Sequence, residues 1–259
     1  VKFNISLKPC IEELLRMPNE DWGEMYSFKL QLYNAGFLID DDVNELERLC
    51  GEIVKNRSIA SYSLMILPTY DCNFSCWYCI QSHKHEYMSS DIVESIKKHI
   101  ATYLLQNDIK SFDIHWFGGE PLLCFDSHIV EISNYAINFC KAHGIDFHNS
   151  ITTNGYLLNE DMILHMKNLN FRQFQITLDG SREFHNKTRN EQGIPSYDRI
   201  VNNVHSVINI IPNVRMYLRY NFTKENYTSL DRLVRDLNTV FEPDCRSRVF
   251  ISVIKVWQE

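Results

Sequence analysis

Three cysteines, Cys72, Cys76 and Cys79, fall within eight residues in the segment Pro68-Thr69-Tyr70-Asp71-Cys72-Asn73-Phe74-Ser75-Cys76-Trp77-Tyr78-Cys79. This CxxxCxxC spacing lets one loop wrap three thiolates around a single iron–sulfur cluster. A four-iron cubane takes four ligands, yet Cys10, Cys50, Cys124, Cys140 and Cys245 are all remote in sequence. Three protein ligands leave one metal open to a substrate or cofactor, as catalytic zinc sites keep a vacancy. Two other readings compete. Cys76-Trp77-Tyr78-Cys79 is a CxxC and could be a thioredoxin-like pair, although that motif should open a helix in a much smaller fold. Cys76, Cys79, His83 and His85 could hold zinc, which would leave Cys72 unexplained and make the chain a non-catalytic zinc-binding α/β module.

Further unusual residues follow in order: Gly118-Gly119-Glu120-Pro121, Thr152-Thr153-Asn154-Gly155, and Thr177-Leu178-Asp179-Gly180 with His185 and Arg189 beyond it. Each group closes an expected β-strand. In α/β folds the ligand lies beyond the carboxyl ends of the strands, and glycine there lets the backbone approach it closely. Taken singly, Gly-Gly-Glu-Pro and Asn154-Gly155 are ordinary turns, Thr177 is a β-branched strand residue and Arg189 a solvated loop cation.

In this order the motifs resemble those of the radical S-adenosylmethionine enzymes, over most of the chain from residue 63 onward. The strings Ala35-Gly36-Phe37-Leu38-Ile39-Asp40 and Leu67-Pro68-Thr69-Tyr70-Asp71-Cys72-Asn73 resemble more narrowly the branch that modifies peptides and proteins, which includes SPASM-type ribosomal-peptide maturases and anaerobic sulfatase maturases. The resemblance implies a [4Fe–4S] cluster held by Cys72, Cys76 and Cys79. It also implies S-adenosylmethionine on the open iron, an external one-electron donor, and a 5′-deoxyadenosyl radical that takes hydrogen from a peptide or protein substrate such as a ribosomal precursor peptide. A small-molecule substrate is the alternative. By the same resemblance Gly118, Gly119 and Glu120 meet the methionine ammonium, Thr177 the ribose and Arg189 the carboxylate, the last because a guanidinium grips that group in a bidentate way. Tyr78 is a candidate adenine contact, and Asn154 a weaker cofactor-binding candidate. Two positions depart from the family pattern: His185 is followed by Asn186 where relatives often carry aspartate, and Thr177 stands where serine is common.

The elements that must position these residues read clearly. Strands are expected over 63–68, 111–116, 147–152, 173–178, 214–221 and 249–256. Between them run amphipathic stretches carrying Ile92/Ile96/Ile100, Ile129/Ile132/Ala136/Phe139, Met162/Met166, Ile200/Val204/Val207/Ile211 and Leu230/Leu233/Leu237. Such alternation demands parallel strands with helical crossovers. The fold class is therefore α/β, a partial (β/α)6 TIM-like barrel, with the aromatic residues mostly in its core. Residues 1–58 read as a helical preface, with Val43, Leu46, Leu49 and Ile53 on one face and Asp40-Asp41-Asp42 at a helix N-terminus, where negative charge is favoured. Residues 59–259 form the barrel. They fall short of the roughly 250 residues of an eight-unit barrel, and with the start at Val1 they read as a truncated piece whose C-terminal continuation holds further cysteines.

Composition narrows the class further. Eight cysteines in 259 residues is about 3%, well below a disulfide-stapled scaffold. Cys50, Cys124 and Cys140 read as small hydrophobes beside apolar helix faces. A net charge of −7 with scattered basic residues speaks against a nucleic-acid surface. Absent a membrane-length apolar run or signal-peptide layout, the chain reads as cytoplasmic.

Overall fold

The computed structural model describes Glu12, Arg16 and residues 21–34, 37–57 and 60–256. The chain divides into two compact units, Val1–Ile59 and Ala60–Glu259. In the first, helices α1 (Tyr26–Asn34) and α2 (Glu45–Arg57) are described, and Trp22, Phe28 and Leu32 form a small core. Helix α2 begins after the triple aspartate: the Asn44 side chain accepts the Glu47 N–H at 3.2 Å, while Asp40 accepts the Tyr33 hydroxyl at 2.7 Å. Leu46 and Leu49 on the expected apolar face are exposed. Cys10 and the side chain of Ile53 lie outside the described residues.

The second unit carries one parallel sheet in the order β1-β2-β3-β4-β7-β8. Its strands are β1 (Ser61–Ile66), β2 (Ser111–Trp116), β3 (Asp146–Thr153), β4 (Phe171–Thr177), β7 (Arg215–Phe222) and β8 (Val249–Lys255). Helices α3 (Ser90–Gln106), α4 (Val130–His143), α5 (Glu160–Asn168), α7 (Tyr197–Ile210) and α8 (Leu230–Val240) are the crossovers, as the hydrophobic periodicity requires. The six strands and the α/β class are those read from the sequence, with ends shifted by one or two residues. Helix α6 (Arg182–Thr188) and the two-residue hairpin strands β5 (Asn190–Glu191) and β6 (Ile194–Pro195) are additions the sequence pattern did not announce.

Period-two alternation sets the two faces of the sheet. On the helix side, Phe112, Ile114 and Trp116 of β2 and Phe147, Asn149 and Ile151 of β3 are buried together with Ile132, Ala136 and Cys140 of α4. The buried Asn149 is fully partnered: it accepts the Trp116 indole N–H at 2.9 Å and donates to the Leu169 carbonyl at 2.7 Å, as an amide in an apolar core requires. The opposite face is polar. Ser63 donates to Asp113 at 3.0 Å, Ser150 to Asp113 at 3.2 Å, and the two ring nitrogens of His115 reach Ser150 at 2.9 Å and Thr152 at 3.0 Å. This hydroxyl–imidazole–carboxylate ladder crosses three strands and ends at Thr152, near their carboxyl ends. No described helix of the chain is long and apolar enough to cross a membrane.

Candidate active site

The loop between β1 and α3 holds the three cysteines and is stapled to itself at its base. Thr69 and Tyr87 form an antiparallel bridge, and the Met88 N–H reaches the Pro68 carbonyl at 2.9 Å. Asp71 accepts the Tyr87 hydroxyl at 2.5 Å, the His85 ring at 2.8 Å and the Cys72 N–H at 2.9 Å. These bonds, Tyr87 first among them, hold its carboxyl below the usual range. The base of the loop then rests on the loop after β2. The Gly119 N–H donates to the Thr69 carbonyl at 3.1 Å, and the Glu120 N–H to the Asp71 carbonyl at 2.8 Å. A Cβ on Gly119 would stand 2.0 Å from the Asp71 oxygen, and one on Gly118, at φ +120°, 2.5 Å from the Thr69 oxygen. The two glycines thus let one backbone lie directly on the other, immediately before Cys72.

Glu120 sits behind this contact, fully buried and outside the cavity lining. It was expected to face the cofactor. Instead, its carboxylate accepts the Thr153 hydroxyl at 2.7 Å, the Asn154 N–H at 2.7 Å and the Leu122 N–H at 3.0 Å, fastening the β2 loop to the end of β3. Burial pushes its carboxyl up against the pull of those donors. Asn154 continues the connection: its amide donates to Asn73 at 2.8 Å and its oxygen accepts the Tyr156 N–H at 2.9 Å.

On the far side, Tyr78 of the cysteine loop donates a short hydrogen bond to Asp179 and accepts from Arg189 at 2.8 Å. Arg189 is 9% exposed, and among the described residues its Nε and the Asp179 Oδ1 are buried without a hydrogen-bond partner. Burial pushes the Asp179 carboxyl up despite the nearby guanidinium and Tyr78. Arg189 is held from behind by a chain of bonds. The Asp179 N–H donates to His185 Nδ1 at 3.1 Å, His185 Nε2 reaches the Ser196 hydroxyl at 3.0 Å, and that hydroxyl donates to the Arg189 carbonyl at 2.8 Å. Burial keeps His185 well below its ordinary value, hence neutral. Asn186, the departure from the family pattern noted in the sequence, accepts the N–H groups of Ser196 and Tyr197 at 3.0 and 2.9 Å, so it fixes the start of α7.

The parts meet around one cavity of about 250 Å³ at the carboxyl ends of the strands. Cys72, Cys76, Cys79, Tyr78, Gly118, Gly119, Asn154, Thr177 and Arg189 all line it. Of the site residues expected from the sequence, Glu120 alone does not. Burial pushes the Cys72 thiol up to about 12 and raises Cys76 as well. A metal bound here would have to displace protons from these thiols. Among the described residues no three His, Cys, Asp or Glu side chains converge on a single-ion site, and His85 of the zinc alternative is turned onto Asp71. A cubane asks for less convergence, because its thiolates are spread around a multi-atom cluster and need a shared cavity.

Residues 66–237 match the model of the radical SAM superfamily. The chain belongs to this superfamily. Radical SAM proteins use a [4Fe–4S] cluster with S-adenosylmethionine, and the family members and structural neighbours are enzymes. The chain is 31% identical over 156 residues to a cysteine-type anaerobic sulfatase-maturating enzyme of Clostridium novyi, covering 56% of this chain and 40% of that protein. It is 27% identical over 153 residues to a GTP 3′,8-cyclase of Campylobacter jejuni, covering 59% and 45%. Among solved structures it superposes on anSMEcpe with bound AdoMet and Cp18Cys peptide, with a TM-score of 0.56, 22% identity and coverage of 74% of this chain and 50% of that one. The chain thus spans less than half the length of these curated radical SAM relatives. The structural match speaks to the fold. Five residues that sequence reasoning left unassigned stand in or beside the cavity: Gln175, Arg219 and Asn221 line it, Asp179 accepts from Tyr78 and Asn73 accepts from Asn154. Asp179 and Asn73 stand inside motifs and could be found there; Gln175, Arg219 and Asn221 lie on strands β4 and β7 with no local signal.

Proposed function

We propose that this chain is the catalytic portion of a radical SAM enzyme acting on a peptide or protein, in the manner of a peptide maturase. The observation that carries the cofactor reading is the convergence of three cysteines, the Gly118–Gly119 cradle, Thr177 and Arg189 on one cavity at the carboxyl ends of parallel strands. The residues present fit the group: three thiols share a cavity that Gly118 and Gly119 also line, and among the described residues a buried guanidinium has an orphaned Nε. Cys72, Cys76 and Cys79 would hold a [4Fe–4S] cluster and leave one iron for S-adenosylmethionine. When bound, the pair supplies one-electron cleavage of the sulfonium and a carbon radical that abstracts hydrogen from the substrate.

The chain's own residues hold and orient. Gly119 and Glu120 spend their N–H groups on the cysteine loop, so the cradle offers carbonyl oxygens to an ammonium. Thr177 offers a hydroxyl to a ribose, and Arg189 a charged fork to a carboxylate. Tyr78 spends its hydroxyl on Asp179 and Arg189, which leaves its ring to line the cavity beside an adenine. Glu120 and Asn154 act by position, fixing the cradle and the loop around Cys72. An external one-electron donor is required, and reduced thiols suit a cytosolic compartment.

The peptide reading draws on the similarity to a sulfatase-maturating enzyme and on a structural neighbour solved with a peptide. A second reading, a small-molecule substrate, is favoured by the similarity to a GTP 3′,8-cyclase. The test is incubation of the reconstituted protein with a precursor peptide encoded beside its gene. An S-adenosylmethionine-dependent mass change in that peptide is expected. An untouched peptide alongside a consumed small molecule would favour the second reading.

A further inference from the structure

We infer that the β7–β8 side of the cavity is an oxyanion subsite for the substrate, with Arg219 as its principal contact. The inference begins from a contrast in charge. The whole chain carries −7, yet among the described residues the cavity is lined by Arg189, Arg219 and Lys255 and by no aspartate or glutamate. A cavity of one sign with low-dielectric walls concentrates ligands of the other sign.

The three cations differ in what already neutralises them. Arg189 has Asp179 as its counter-charge, bridged through the Tyr78 hydroxyl. Arg219 and Lys255 take part in no ion pair among the described residues; the ion pairs of this unit join other residues. Arg219 is half-buried on β7, and its Nε donates to Asn221 at 2.8 Å. That bond fixes one edge of the guanidinium, and among the described residues no hydrogen bond occupies its terminal nitrogens. A held, unpaired guanidinium facing a cavity is prepared for bidentate capture of a carboxylate or phosphate. Gln175, on the neighbouring strand β4, lines the same wall and can add a neutral donor.

The assignment rests on the cofactor reading above in one respect: Arg189 is allotted to the cofactor carboxylate, which leaves Arg219 and Lys255 for the substrate. The strand order sets this wall apart from the cysteine loop, which follows β1 at the other edge of the sheet. The substrate is therefore one that carries an anionic group: an acidic side chain on a peptide, or a phosphate on a small molecule.

The test is anaerobic titration calorimetry of the reconstituted chain saturated with S-adenosylmethionine. The probes are a blocked Gly-Glu-Gly tripeptide, its Gly-Gln-Gly counterpart and inorganic pyrophosphate. A charge-assisted pair predicts that the Glu peptide binds roughly tenfold or more tightly than the Gln peptide. Arg219→Gln should erase that preference and Lys255→Gln reduce it. Arg215→Gln, on the same strand but outside the cavity, should keep it. Arg219-dependent binding of pyrophosphate alone would also support the subsite and would name a phosphorylated small molecule as its occupant. Equal binding of the two peptides without Arg219-dependent pyrophosphate binding, no binding of any probe, or a preference that survives Arg219→Gln would overturn the inference. The cofactor reading is judged separately, by whether the wild-type protein forms 5′-deoxyadenosine on reduction.

Discussion

Replacing Gly119 by alanine tests how the cysteine loop is held. A Cβ there would lie 2.0 Å from the Asp71 carbonyl oxygen and 2.6 Å from that of Tyr70. Carbon–oxygen contacts of this kind are essentially never seen below 3.0 Å, so the two backbones must separate by at least 1.0 Å. The atoms that clash are main-chain atoms, and no flexible side chain can relieve them. The same contact contains the Gly119-to-Thr69 and Glu120-to-Asp71 hydrogen bonds, at 3.1 and 2.8 Å. At about 0.5–1.5 kcal/mol net for each, their loss costs roughly 1–3 kcal/mol, a fall in Tm of roughly 2–12 °C for a domain of this size. Because Asp71 immediately precedes Cys72, the displacement is delivered to a proposed cluster ligand. Thermal melts and the iron content after anaerobic reconstitution should both fall in Gly119→Ala. Gly144→Ala is the control: its φ is +68° with no heavy atom within 4 Å of a new Cβ, so it costs about 1–2 kcal/mol of left-handed strain and leaves iron uptake unchanged. A Gly119→Ala protein with wild-type iron and an unshifted Tm would refute the reasoning.

Other predictions follow from the buried polar groups. Arg189→Gln removes the cation beside the buried Asp179 and should cost on the order of 3 kcal/mol in urea denaturation, with Asp179→Asn on the same background restoring a large part. His185 binds its proton less readily folded than unfolded, so stability should fall as pH drops below about 6.5. The slope from this group is about 1.4 kcal/mol per pH unit; denaturation midpoints between pH 7.5 and 5.5 should flatten in His185→Gln. Asn186→Ala strips two N–H groups of their acceptor and should cost about 1 kcal/mol, whereas Asn186→Asp keeps the acceptor and should leave the urea midpoint within experimental error.

The strands were legible because β-rich runs alternate with 3.6-period stretches, and Phe112, Ile114 and Trp116 fall on one face as period two requires. The three cysteines were legible because they are contiguous. Helix α6 was not, since its buried residues are His185 and Thr188 and carry no apolar stripe; what holds it is a polar network closed by Ser196. Cys50, read as a small hydrophobe, is exposed, while Cys124 and Cys140 are buried. Glu120 was read as a cofactor contact from its place in a motif, yet its partners, Thr153 and Asn154, lie 33 and 34 residues away. Tyr78 and Arg189 are 111 residues apart. Pairings at that separation exist only once the sheet has brought the strand ends together.

The cysteine site is the centre of this account, and reconstituting the chain anaerobically with iron and sulfide tests it most directly. Iron and zinc are then counted, and 5′-deoxyadenosine is measured after reduction with S-adenosylmethionine present. About four irons per chain are expected, with 5′-deoxyadenosine formed by the wild-type protein and both lost in Cys72→Ala, Cys76→Ala and Cys79→Ala. A colourless protein holding stoichiometric zinc and forming no 5′-deoxyadenosine would contradict it.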